Sequence, residues 1–194
     1  MDGVGRVLDA AVDEGFLTAG AAAEGRVHSD GFLVGTPPPA ADEVAIDLGT
    51  GGGLPGLVLA ARTDCRWYLV DRGARRCRFL EWAARSLDLS DRVTVLNAEA
   101  VDVARGELRG SAVLVSARAE CGAPLLVPGG RLVVSEPPDG DGTRWPAGPL
   151  ADLGLVDGGG WAHEGARFRA LRAVGDRPAG FPRSWRAITR SPLF

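Results

Sequence analysis

Ten residues, Asp47-Leu-Gly-Thr-Gly-Gly-Gly-Leu-Pro-Gly56, set one carboxylate ahead of five glycines at a spacing that could hold a nucleoside cofactor. An apolar run, 44–48, precedes them and an alanine-containing apolar stretch follows. The pattern therefore reads as strand, glycine turn, helix. Glycine lets backbone approach a ligand closely, and a helix start offers N–H donors without internal partners. Asp47, two positions before Gly49, discriminates among ligands. A carboxylate there would repel a diphosphate, whereas it suits a ligand carrying ammonium and sulfonium groups. S-adenosylmethionine (SAM) is thus favoured over a nicotinamide dinucleotide. The same residues also satisfy the dinucleotide spacing, Gly51-x-Gly53-x-x-Gly56 with Asp71 downstream, so a nicotinamide oxidoreductase stays open as the lesser alternative. A ligand-free turn would spend backbone entropy on five glycines with no return.

Further candidates fall where other apolar runs end. Asp71 follows 66–70, and its two acceptor oxygens match a vicinal ribose diol, although a surface turn aspartate is the plainer alternative. Asn97-Ala98-Glu99 follows 92–96 and could offer an amide to an adenine edge, though asparagine is also a common turn residue. Cys65, Cys77 and Cys121 are odd in number and unclustered, which predicts buried thiols in a reducing cytosol and no disulfide framework. His28 and His163 have no ligand spacing, so no metal is expected. Cys121 lacks the preceding proline of a cytosine-C5 transferase nucleophile. Glu136-Pro-Pro-Asp139 lacks the aromatic that amino-group methylation uses to stack a base. Packing roles are expected for Trp145, Trp161 and Trp185.

The elements that must position these groups follow from periodicity and punctuation. A short amphipathic helix is predicted over 4–17 and a linker over 35–41. Strands are predicted at 44–48, 66–70, 92–96, 112–115 and 131–134, alternating with helices at 55–62, 74–87, 99–106 and 119–126. The first of these helices has Pro55 in its opening turn, where a missing N–H costs nothing. The second presents Phe79, Leu80, Trp82 and Ala83 as its apolar face. A loop is predicted over 137–149, and antiparallel strands close the chain around Trp161 and 168–174. Such alternation implies an α/β fold with a Rossmann-like, doubly wound, mostly parallel sheet and a short helical N-terminal appendage. Asp47, Asp71, Asn97 and Ser116 then share the carboxyl ends of the strands, where such sheets bind ligands. The expected division is an appendage and linker (1–43), a cofactor-binding domain (44–180) and an arginine-containing tail (181–194). The opening residues lack a basic and then apolar leader, and no apolar run could span a membrane, so a cytoplasmic protein is expected.

Charge is asymmetric. Residues 1–46 hold eight acids against two arginines, and 161–194 hold seven arginines against two acids, within a net charge of −3. The basic end could dock a polyanion or could be a solvated tail. All 22 basic residues are arginine, which mutational bias explains as well as selection for phosphate forks.

The residues 47–60 resemble the SAM loop of the RsmG (GidB) family, the 16S ribosomal RNA guanine-N7 methyltransferases, with Leu54-Pro55-Gly56 as the distinctive part. Leu69-Val-Asp71, Arg75-Arg-Cys-Arg-Phe-Leu80, Val115-Ser-Ala-Arg-Ala119, Phe181-Pro-Arg183 and Ser191-Pro-Leu193 are similar to successive family segments. The resemblance implies a class I SAM-dependent methyltransferase acting on 16S rRNA or the small ribosomal subunit. It implies a methionine end cradled by Asp47, Gly49, Thr50, Gly51, Gly53 and Leu54, ribose on Asp71, and adenine beside Asn97, Ala98 and Glu99. Arg118, placed among both the cofactor-binding and the catalytic residues, would grip a phosphate or the guanine O6, with pairing to Glu99 or Glu120 as the alternative, and Arg183 would face RNA. Asn97 stands where the family has arginine, and Glu136 follows the late strand where a lysine would face RNA. A small-molecule methyltransferase and a SAM-binding non-catalytic paralogue remain the alternatives.

Overall fold

The computed structural model describes residues 3–117, 119–140, 143–175 and 178–194. Two helices, α1 (Gly3–Asp13) and α2 (Ala19–Val34), precede β1 (Val44–Leu48). There follow α3 (Gly56–Ala60), β2 (Arg66–Asp71), α4 (Ala74–Ser86), β3 (Val93–Asn97), α5 (Ala100–Arg105) and β4 (Ala112–Ser116). After α6 (Ala119–Gly122) and a short 3-10 turn come β5 (Leu126–Glu136), α7 (Ala147–Asp152), β6 (Leu155–His163), β7 (Ala166–Ala173) and α8 (Trp185–Arg190).

The seven strands form one sheet in the order β3-β2-β1-β4-β5-β7-β6. All neighbours from β3 to β5 pair in parallel, and β7 runs antiparallel to both β5 and β6. Only β7 is therefore reversed; the closing pair β6–β7 is antiparallel, as expected, and β6 points the same way as β5. Register sets Asp47 beside Ser116 and Asp71 beside Asn97, so the four strand-end groups do share one edge.

Apolar layers cover both faces of the sheet. One includes Leu57, Trp67, Leu69, Leu80 and Phe168, and the other Ile46, Val115, Leu126, Leu132 and Leu171. Val7, Ala11 and Phe32 belong to the first layer, so α1 and α2 help to close the core. The three cysteines are buried free thiols, as expected. Trp82, expected on the apolar face of α4, is 43% exposed.

Helix α2 went unread because its buried residues, Gly25, Ser29, Gly31 and Phe32, include a single large apolar side chain. A Cβ on Gly25 would lie 2.4 Å from Leu54, and one on Gly31 would lie 2.3 Å from Phe168. Close approach, and not an apolar stripe, fixes this helix; the Thr18 hydroxyl caps it by accepting from the Ala21 N–H at 3.1 Å. Strand β5 begins earlier than the 131–134 expected and takes in Pro128-Gly-Gly130, where the register with β4 shifts between Ala112 and Leu114. The loop expected over 137–149 is interrupted at its end by α7.

Candidate functional site

The glycine turn is held open by three alternating residues in the left-handed region: Gly49 at φ 81°, Gly51 at 59° and Gly53 at 103°. Side chains other than glycine are strained there. The turn is tied to the neighbouring strand by the Gly49 and Thr50 N–H groups, which donate to the Val70 carbonyl at 2.8 and 3.1 Å. A Cβ on Gly49 would meet nothing within 4 Å, so this part of the turn fronts open space.

That space is a cavity of about 600 Å³ beyond the carboxyl ends of β1, β4 and β5. Asp47, Gly49, Leu54 and Pro55 line it from the turn, Ser116 and Glu120 from the β4–α6 corner, and Trp145, Leu193 and Phe194 from the far side. Thr50 is buried. Asp71, Asn97, Ala98 and Glu99 lie outside the cavity, along the ends of β2 and β3.

Asp47 is 2% exposed. Burial pushes its pKa up to about 6, against the neighbouring Thr50 and Ser116 hydroxyls and the Gly56 N–H, which favour the carboxylate; the charge of Asp71 adds to the upward push. The Gly56 N–H donates to Asp47 Oδ2 at 2.9 Å. This contact explains the last glycine of the motif: a Cβ on Gly56 would fall 2.5 Å from Asp47 Oδ2 and 2.6 Å from Leu69. Gly56→Ala should therefore destabilise the protein by about 2 kcal/mol through overpacking. Urea unfolding checks it, and an unchanged midpoint would mean that α3 and β1 are not in such close contact.

Asp71 is also buried, yet its pKa moves the other way. Burial raises it, but hydrogen bonds from Arg76, Gly73 and Gly51 and the Arg76 charge outweigh that and hold it below its ordinary value. Oδ1 accepts from the Gly73 N–H at 2.7 Å and Arg76 Nε at 2.8 Å, and Oδ2 accepts from the Gly51 N–H at 3.1 Å. Sequence reasoning missed Arg76 as a partner. Its signal was present, since Arg76 falls on the first turn of α4, just past the strand end.

Other expected roles change. The Asn97 amide donates to the Asp71 carbonyl at 3.1 Å, so it helps to hold two strand ends together. Ala98 makes the same link through its own N–H, at 3.2 Å. Glu99 is exposed and lies 3.8 Å from Arg72. Arg118 lies outside the described residues. Arg183, expected to face RNA, instead grips the buried Glu120, with Nε–Oε1 and Nη2–Oε2 both 2.6 Å. Glu136 is likewise internal: its side chain is 7% exposed, accepts from Trp145 Nε1 and lies 4.0 Å from Arg169. It does not present an anion to RNA as a solvent-facing replacement of a lysine would. Arg169 also pairs with the exposed Asp157, so two of the seven arginines of the basic end, Arg169 and Arg183, are held by carboxylates of the chain itself. No group of three metal-ligating side chains occurs among the described residues, and no described helix is long and apolar enough to cross a membrane.

A parallel sheet of this strand order, with β7 reversed and a glycine turn after its central strand, is the class I methyltransferase fold. The solved structures agree on the fold. An RNA methyltransferase from Salinibacter ruber, in complex with S-adenosyl-L-homocysteine, superposes with a TM-score of 0.58 at 16% identity, covering 78% of this chain and 94% of that one. A geranyl diphosphate methyltransferase in complex with SAM gives 0.59 at 15% identity, covering 77% and 85%. Within that class, residues 35–122 match the family model GidB, rRNA small subunit methyltransferase G. Similar curated relatives are the ribosomal RNA small subunit methyltransferases G of Salinispora tropica, 44% identical over 100 residues, and Frankia alni, 40% identical over 119. These matches cover 45% and 57% of this chain but only 41% and 45% of the relatives. The chain thus aligns with less than half the length of either.

Proposed function

We propose that the chain binds SAM along the strand ends and transfers its methyl group to guanine N7 of small-subunit ribosomal RNA. The observation that carries the cofactor assignment is a buried carboxylate, Asp47, at the foot of an open turn whose Gly49 has empty space where a side chain would point. This environment suits a cation and opposes a diphosphate. The match of residues 35–122 to the GidB family model supports the RNA acceptor.

Asp47 would hold the ammonium end, with the Gly49–Gly53 turn against the ligand and the Asp71 carboxylate on the ribose. Bound SAM supplies an electrophilic methyl on a positively charged sulfur. The chain's own task is alignment and exclusion of water. Guanine N7 has a lone pair and no proton, so no general base is required. Asp47 is occupied by the turn and has no role as a base here.

The decisive test is methyl transfer from labelled SAM to small ribosomal subunits and to extracted 16S RNA, both lacking the family's mark. Label at a single guanine N7 is the expected result. SAM binding without label in RNA would overturn the acceptor assignment and point to a small-molecule acceptor or a non-catalytic protein.

A further inference from the structure

The segment after β7 is fixed to α5, to the turn that follows it and to α6. Arg109 donates to the carbonyls of Phe181 and Pro178 at 2.8 and 2.9 Å, and Arg105 to that of Pro182 at 2.8 Å. Arg183 then bridges two elements. Its guanidinium binds both oxygens of Glu120 on α6, its backbone N–H donates to Glu120 Oε1 at 3.1 Å, and Nη2 also donates to the Ser191 carbonyl at 2.8 Å. Glu120 is 4% exposed, so this pair is anchored in the interior. Just beyond Ser191, residues Pro192, Leu193 and Phe194 line the same cavity as Asp47 and Gly49. The Phe194 ring lies 4.7 Å from the ring of Trp145, which is itself buried, and the Arg144 guanidinium lies 4.8 Å over Trp145.

We infer that residues 192–194, together with Trp145, form the acceptor-side wall of the cavity, an aromatic face for a planar base, and that Arg183 is the residue that positions it. The inference rests on the methyltransferase reading above and deepens it. The cavity has two unlike sides. One is the glycine turn with its buried carboxylate, suited to a cation. The other is two aromatic rings beside a guanidinium, which suits the π-face of an electron-rich base through stacking and cation–π attraction. A guanine between them would lie against the cofactor side. The fork of Arg183 matters because it ties the segment to Glu120 beside the β4–α6 corner in a fixed geometry, which a lysine could not reproduce.

The test uses guanosine 5′-monophosphate as probe, titrated into the chain in the presence of saturating S-adenosylhomocysteine, with the affinity for S-adenosylhomocysteine measured separately. Shortening the chain to end at Ser191 removes the wall and leaves the Arg183–Glu120 pair intact. It should weaken the nucleotide about tenfold, the scale of one stacked base, with the cofactor product bound as before. Arg183→Gln should weaken the nucleotide similarly and raise KM for RNA more than it lowers kcat, and Arg183→Lys should recover little. Equal nucleotide affinity in the shortened and full chains would overturn the inference, as would no nucleotide binding to the full chain with S-adenosylhomocysteine bound. Tighter binding on shortening would also overturn it, by showing the segment to be a plug. If S-adenosylhomocysteine itself does not bind the full chain, the cofactor reading falls and takes this inference with it.

Discussion

Asp47→Asn is expected to stabilise the ligand-free protein at pH 8 by about 2 kcal/mol and to weaken SAM binding about a hundredfold, two effects of opposite sign from one atom change. The ionised carboxylate sits in the interior, and burial has raised its pKa from 3.8 to about 6. A carboxylate whose folded pKa lies above its unfolded one binds more protons when folded, so stability falls as pH rises through the window from about 4 to 6. The full shift corresponds to about 3 kcal/mol, lost by pH 8 and retained below pH 4. An asparagine carbonyl can still accept from the Gly56 N–H, now at 2.9 Å from Asp47 Oδ2, and carries no charge to desolvate. The gain should therefore vanish at pH 4. The lost affinity reflects one charge-assisted contact to the ligand's ammonium group. Urea unfolding at both pH values and calorimetric titration with SAM read the two effects. A variant less stable at pH 8 would show that the charge serves the fold; unchanged affinity would show that Asp47 does not touch the ligand's cation.

That opposition is what a site looks like when a chain keeps a buried charge for a ligand. Asp71 shows the contrast within the same strand edge. It too is buried, but Arg76 and two glycine N–H groups satisfy it internally, and its pKa is lowered. Its contribution to stability is therefore present above the ordinary pKa of an aspartate and is lost as pH falls through the lower, folded value. The two carboxylates thus pull stability in different directions over different acid windows, Asp71 below about 4 and Asp47 above it.

The parts of this arrangement that were legible in sequence are the local ones. Strand, turn and helix at 44–60 could be read because alternating glycines, a preceding apolar run and Pro55 act within a dozen residues of each other. The parallel order followed because strands and helices alternate, and Asp47, Asp71, Asn97 and Ser116 fell on one edge by register alone. What sequence hid was contact across distance. Glu120 and Arg183 are 63 residues apart, and the Phe181-Pro-Arg183 motif that marks Arg183 says nothing of a buried partner on α6. Helix α2 was hidden for a different reason: where Leu54 and Phe168 press against Gly25 and Gly31, the helix buries absence of side chain, and an apolar-stripe criterion has nothing to count. Glu136 illustrates the risk of reading charge by position, since Trp145 and Arg169 make it an interior anchor for the loop that follows β5.

Asp71→Ala should cost about 3 kcal/mol of stability and lower SAM affinity about a hundredfold, and Arg76→Ala separates the two consequences. Removing the carboxylate strands the Gly51 and Gly73 N–H groups and frees Arg76, whose side chain is 37% exposed and so recovers much of its solvation. The glycine turn would lose its tie at Gly51, and the ribose would lose its acceptor. Arg76→Ala leaves the carboxylate and both glycine contacts in place. It should cost only about 1 kcal/mol, as expected for a partly exposed pair. It should not weaken SAM binding, because it clears donors from Oδ1, the more heavily occupied oxygen, and leaves it available to a hydroxyl. Thermal unfolding with and without ligand measures both variants. If Arg76→Ala loses as much affinity as Asp71→Ala, the pair acts on the ligand only by shaping the turn. If affinity survives Asp71→Ala altogether, the ribose does not rest on β2, and the cofactor must take another path across the strand ends.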